Sequence, residues 1–201
     1  MGVAERKERE KLELKEKIIA AATELFLEHG IEKTSIRMIA DRIEYSPATI
    51  YLHFKDKNEL FYVIMDRAFN LFFEYFSRVG KIEDPLERIR ELGRVYLQFA
   101  MENPFYYDLM FVIRDPMETL HDDDTWPNGK RSHEVLTTAV QQCIDNGYFE
   151  GHEPEALSLA IWSGVHGLVT LKLRNRLSMY PQTQQEELLY DALESFNKMM
   201  S

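Results

Sequence analysis

The chain holds 201 residues, 45% hydrophobic and 29% charged, a balance that excludes an intrinsically disordered protein and leaves room for a sizeable core. Its one cysteine, Cys143, excludes an internal disulfide and suits a reducing cytosol, and no apolar run approaches the length that crosses a bilayer, so a cytoplasmic protein without a membrane partner is expected. The net charge of −10 argues against nucleic acid only if it is evenly spread, and it is not: residues 1–57 hold 11 Lys+Arg and 11 Asp+Glu, so the whole deficit lies in residues 58–201.

Nearly every interval between Pro and Gly marks has helical period, so the expected fold is all-α, with about nine helices and no sheet. Glu5 to Lys17 mixes charges at i, i+4, which suits an exposed extension of the first helix and could alternatively reach a minor groove. Leu14, Ile18, Ala22, Leu25, Phe26 and His29 then form one stripe that stops at Gly30. Thr34 or Ser35 caps a short second helix with Ile36, Ile39, Ala40 and Ile43 on one face. After Glu44-Tyr45, the pair Ser46-Pro47 supplies an N-cap and a residue preset for the first helical position, opening a third helix of about two turns. Asp56 with Glu59 three residues on starts a long fourth helix to about Arg78. Asp84-Pro85 and Asn103-Pro104 open two more. Arg114 to Lys130 loses period and reads as a loop, in which His121 and Asp122 to Asp124 have no metal-ligand spacing. Helix resumes near Ser132, and two final helices run from about Pro154 to Arg176 and, capped by Thr183, to about Met199.

Helices two and three have the proportions of a helix-turn-helix, whose second helix enters the major groove. With Ile50 and Phe54 facing inward, the third helix exposes Pro47, Ala48, Thr49, Leu52 and His53, which are small or polar groups able to approach a base edge or a phosphate. Ser46 and Tyr51 add hydroxyls, and Lys55 and Lys57 stand where the next helix offers free amides. The run Ile36-Arg37-Met38-Ile39-Ala40-Asp41-Arg42-Ile43, followed by Ser46 to Leu60, resembles the TetR family signature over roughly residues 14–64. That resemblance implies base contacts from Arg37 and the exposed face of the third helix, and phosphate contacts from Thr34, Thr49, Tyr51, His53 and Lys57. The family usually has Gly in the turn where this chain has Glu44. If that position is left-handed, Glu costs on the order of 1 kcal/mol there, and its charge points toward DNA.

The resemblance places a DNA-binding domain at residues 1–57 and a ligand-binding and dimerisation domain at 58–201. Aromatic residues crowd the second: Phe69, Phe72, Tyr96, Phe99, Tyr107, Phe111, Trp162 and His166 are candidates to line an apolar cavity, although most aromatics there must be plain core. Trp162-Ser163-Gly164-Val165-His166-Gly167 resembles a C-terminal domain type named for its Trp, His and Gly. The glycines need a packing reason, and Ala160, Gly164 and Gly167 with Leu189, Leu193 and Phe196 are read as an isologous four-helix dimer interface. The expected protein is a homodimeric regulator that binds double-stranded DNA and a small-molecule effector, a repressor released from a pseudo-palindromic operator by an apolar or aromatic ligand. No cofactor, metal or enzymatic activity is expected, since no GxSxG, HExxH, P-loop or cysteine pair is present. The alternative is a helical dimeric interaction module without specific DNA binding, which turnover assays and DNA-shift assays would separate from an enzyme and from a regulator respectively.

Overall fold

The computed structural model describes residues 2–113 and 127–200, and within them the chain forms nine α-helices and no strand. These are α1 (Val3–His29), α2 (Ile36–Arg42), α3 (Pro47–Tyr51), α4 (Lys57–Ser77), α5 (Pro85–Glu102), α6 (Pro104–Phe111), α7 (Pro127–Asp145), α8 (Pro154–Leu173) and α9 (Gln182–Met199). Two compact units result, Met1–Arg67 and Ala68–Ser201, and they part inside α4.

In the first unit α1 is exposed over its opening turns, where Arg6–Glu10 and Arg9–Glu13 pair at i, i+4, and is buried from Ile18 onward through Ala22, Leu25 and Phe26. Gly30 ends it at φ 79, with its N–H on the Phe26 carbonyl, a conformation that suits glycine because no Cβ is present to clash. His29, placed on the apolar stripe by its spacing, is exposed. Phe26 meets Phe61 of α4 edge to face at 6.3 Å, and Arg67 grips Glu16 with two hydrogen bonds of 2.6 and 2.7 Å.

The second unit is built around α5, which packs against α6, α7, α8 and α9 and buries Ile89, Val95, Leu97, Phe99 and Ala100. Asp84 caps it by accepting the Glu87 N–H at 2.8 Å, with Pro85 at the first position, so acceptor, preset φ and missing donor act together. Two sequence boundaries need correction. α7 starts at Pro127, not near Ser132, because Pro127 takes the first helical position; the rest of the expected loop, including His121 and Asp122 to Asp124, lies outside the described residues. α9 opens at Gln182 with no side-chain cap, so Thr183 is inside the helix.

Contrary to the reading that no apolar run approaches spanning length, the 20 residues of α8 are long and apolar enough to cross a bilayer by length and composition alone. One face of it, Ser158, Ile161, Val165 and Val169, is packed within the unit, while Leu159 and Leu171 remain exposed. Gly164 has its packing reason inside the chain. A Cβ built there would stand 2.5 Å from the Phe196 ring of α9, so the absence of a side chain lets the two helices close. Leu189 and Leu193 of α9 are buried at 2% and 0% exposure, and Leu193 lies 3.4 Å from a Cβ built at Gly93 of α5. Gly164→Ala is therefore expected to lower stability by about 1–3 kcal/mol through overpacking, with Phe196→Leu in the same background restoring part of it. Urea denaturation checks this, and an unchanged midpoint for Gly164→Ala would show that the ring gives way freely.

Candidate DNA-contacting face and effector cavity

In the head, Ser35 caps α2 by accepting the Met38 N–H at 3.2 Å, and Ile36, Ile39 and Ala40 are buried. The chain leaves α2 through Glu44 at φ 61, and the Tyr45 N–H returns to the Ala40 carbonyl at 3.0 Å. The turn thus has the left-handed winding that glycine adopts without strain, and Glu occupies it at a cost. Ser46 starts α3: its Oγ accepts the Thr49 N–H at 3.2 Å and lies 2.9 Å from Thr49 Oγ1.

The helix so positioned has two faces of opposite character. Ile50 and Phe54 are 0% and 2% exposed, whereas Tyr51 is 56% and Leu52 80% exposed. Pro47 and Ala48 are also exposed, and Thr49 and His53 are half-buried. An outward Leu beside Pro, Ala and a phenol offers apolar and hydroxyl contacts together, which suits a thymine methyl and a phosphate. Burial, then the charges of Lys11 and Lys15, hold the His53 pKa below its ordinary value, so at neutral pH its ring offers a neutral N–H rather than a cation. Arg37 projects with its side chain 85% exposed and stands 3.9 Å from Asp41, a loose pair that a base or phosphate can replace.

Two residues assigned to phosphate take other positions. Thr34 is buried, and its Oγ1 lies 3.1 Å from the Leu25 carbonyl and 2.8 Å from that of Gly30; its hydroxyl ties the end of α1 to the start of α2. The Lys57 ammonium donates to the carbonyls of Ile31 at 2.6 Å and Glu32 at 3.3 Å, which leaves it one further N–H. Arg42 is held by Glu24 and Glu28. Lys55 stays exposed. Sequence reasoning missed Lys11 and Lys15, whose charges reach His53 and of which Lys15 stands 5.6 Å from the Phe54 ring. Their i, i+4 spacing on α1 was the available signal.

The second unit contains a cavity of about 470 Å³, a size that takes a small organic molecule. Of the residues proposed from sequence, Phe72, Tyr96, Phe111 and Trp162 line it. Phe69, Phe99 and Tyr107 do not: they are 1%, 0% and 0% exposed and belong to the packed aromatic core. His166 also stands outside the lining and is the hub of a hydrogen-bond network behind the cavity wall. Its Nδ1 lies 2.6 Å from the Tyr107 hydroxyl and 3.1 Å from that of Tyr96, and Trp162 Nε1–H donates to Tyr96 Oη at 3.1 Å. Burial lowers the His166 pKa and raises those of Tyr96 and Tyr107, so all three are neutral near pH 7 and the wall carries no charge. The rest of the lining was not foreseen: Phe76, Ile89, Leu92 and Gly93 from α4 and α5, Leu159, Ile161 and Val165 from α8, and Gly129, Lys130, Ser132, His133 and Leu136 from α7. Among the described residues no group of three potential metal ligands occurs.

Residues 18–63 match the family model described as bacterial regulatory proteins of the tetR family, and residues 89–196, more than half of the chain, match the tetracyclin repressor-like C-terminal domain. The chain belongs to the TetR family. An HTH-type transcriptional regulator of Staphylococcus aureus (strain USA300) is 30% identical to this TetR family chain over 92 residues, 45% of this chain and 50% of the relative. The chain thus spans about half the length of the curated relatives it matches. Two solved TetR-like structures share the fold. AibR in complex with isovaleryl coenzyme A and operator DNA aligns with TM-score 0.68 and 20% identity over 92% of this chain and 97% of that one. The ketosteroid transcriptional regulator KstR2 of Mycobacterium tuberculosis aligns with TM-score 0.65 and 19% identity over 90% and 93%.

The left-handed turn yields a test. Glu44→Gly should stabilise the fold by about 1 kcal/mol by relieving the positive φ, whereas Glu44→Gln, which removes only charge, should leave stability within a few tenths of a kcal/mol. Denaturant midpoints compare the two, and equal midpoints would show that the turn stores no strain.

Proposed function

We propose that this TetR family protein is a ligand-responsive DNA-binding transcriptional regulator, acting in the cytoplasm as a homodimeric repressor. The observation that carries this reading is the inverted face of α3: Ile50 and Phe54 are locked inward while Tyr51 and Leu52 are held in water. A soluble surface gains nothing from displaying a large apolar side chain at 80% exposure, but a helix that meets base edges does. Arg37 and the outward side of α3 (Pro47, Ala48, Thr49, Tyr51, Leu52) read bases or set register. His53, Lys55, the last N–H of Lys57 and the hydroxyl of Ser46 face the backbone. Double-stranded DNA of pseudo-palindromic sequence is the partner, with half-sites about 34–36 Å apart.

The dimer surface proposed is the outward stripe of α8. Ala156, Leu159, Ala160, Ser163 and Leu171 are exposed along one side, and Gly167 has nothing within 4 Å of a built Cβ. In this reading Ala160 and Gly167 lie at the dimer surface, whereas Gly164 packs against Phe196 of the same chain and Leu189 and Leu193 are buried within it. The effector site is the aromatic cavity; KstR2, described as a ketosteroid transcriptional regulator, supports a largely apolar ligand, whereas the isovaleryl coenzyme A bound to AibR joins a short apolar acyl group to a polar, anionic carrier. α4 contributes its first half to the head and its second half, with Phe72 and Phe76, to the cavity. A ligand that binds one α4 position better than another biases the head, and one that binds both equally does nothing.

The acidic total and Glu44 favour the rival, an interaction module without specific DNA binding, and one experiment separates the two. On duplexes enriched from genomic DNA, Arg37→Ala should cost about 1–3 kcal/mol and relax the sequence preference. Lys55→Ala should weaken all sequences alike and reduce the salt slope by roughly one unit. Gel-shift titration at several salt concentrations measures both; affinity unmoved by either variant, or no retained duplex, would overturn the DNA-binding reading.

A further inference from the structure

The proposed effector cavity is chemically lopsided. Its inner wall is neutral and already satisfied: Trp162 Nε1–H donates to Tyr96 Oη, and the Tyr96 and Tyr107 hydroxyls converge on His166 Nδ1. That wall therefore presents aromatic carbon, from Phe72, Phe111 and Trp162, with little hydrogen-bonding capacity left for a ligand. The α7 side differs. Lys130 and His133 both line the cavity, three residues apart and so on one face of the helix. Lys130 is exposed while it lines the cavity, which places it at the opening. The ring of His133 stands 6.2 Å from that of Trp162, and its Nδ1 is 3.4 Å from Thr137 Oγ1; an Nδ1 engaged there turns Nε2, the opposite ring nitrogen, to the other side of the imidazole.

The sign of the charge is what decides. Residues 58–201 hold ten more acidic than basic residues, yet among the described residues that line this cavity there is no Asp or Glu. Around an empty apolar hollow in so acidic a unit, carboxylates would be tolerated at the opening as readily as an ammonium. Among the described residues the opening offers a cation and an imidazole, which together complement an anion.

Resting on the effector reading above, we propose that the ligand is a small carboxylate: an apolar or aromatic tail seated against Phe72, Phe111 and Trp162, with its carboxylate at Lys130 and His133. The apolar tail supplies affinity, because the inner wall gives up no hydrogen bonds on binding. The charged end supplies orientation and selects against uncharged analogues, and its charge-assisted bonds are stronger than neutral ones.

Isothermal titration calorimetry of the full chain with two matched pairs of probes tests this: octanoate against octan-1-ol, and 4-phenylbutyrate against 4-phenylbutan-1-ol. In each pair the tail is common and only the head changes, and comparing the pairs reports whether the tail is aliphatic or aromatic. At least one carboxylate should bind about tenfold tighter than its alcohol. Lys130→Met, which keeps the stem of an exposed side chain and removes the charge, should abolish that preference and leave the alcohol's affinity unchanged. Equal affinities for carboxylate and alcohol would overturn the anion assignment while leaving an apolar effector standing. A carboxylate preference untouched by Lys130→Met would overturn the place assigned to the head group. Binding of none of the four would overturn the effector reading together with this inference.

Discussion

The inward anchoring of Ile50 and Phe54 is the contact on which the rest of the head depends. α3 has five helical residues, too few to persist alone, since an isolated helix of that length is unstable in water. What holds it is burial: fully removing two such side chains from water contributes about 1.5–3 kcal/mol each. Ser46 satisfies the first free amides with its hydroxyl, and Pro47 fixes the entry. Because these side chains occupy the inner side, Tyr51 and Leu52 have no inward alternative. Thr34, from the loop between α1 and α2, and Lys57, from the start of α4, support the same core by bonding the carbonyls of Leu25, Gly30 and Ile31. These residues act on the outward side of α3 by holding its platform.

The C-terminal unit follows a different logic. It spends aromatic residues on a dense core, with Phe72 meeting Phe76, Phe99 and Phe111 at centroid distances of 4.2, 4.9 and 5.8 Å, and leaves a hollow beside them. A hollow is costly to keep in a packed interior, because its lining forgoes contacts. A buried neutral network of Trp162, Tyr96, Tyr107 and His166 stiffens one wall, and satisfied buried polar groups specify a single arrangement. In the proposed function the two units differ in surface chemistry because one meets a polyanion and the other encloses a small molecule.

Much of the fold was legible because helix starts carry local chemistry. Ser35, Ser46 and Asp84 each cap the helix that follows, and Asp56 accepts the Glu59 N–H at 2.9 Å. The site was legible where it depends on such local signals, as in the faces of α3, and opaque where it depends on contacts distant in sequence. Thr34 bonds the Leu25 carbonyl nine residues away, and Lys57 one 26 residues away; neither partner is a side chain that a pattern could reveal. Phe69 and Phe72 stand one turn apart on α4 and look alike in sequence, yet only Phe72 reaches the cavity. Gly164 announced a close helix contact without saying whose helix, and the answer, Phe196 of the same chain, needed coordinates.

The most direct test of the central claim places a photoreactive benzoylphenylalanine at Leu52 in the full-length protein and, as a control, at Met199, which is 77% exposed on α9. Each is irradiated with duplexes enriched from genomic DNA. If the outward side of α3 lies in a groove, DNA cross-links form at position 52 and not at position 199, and they map to one short sequence. Cross-linking absent at 52, or equal at the two positions, would contradict the account.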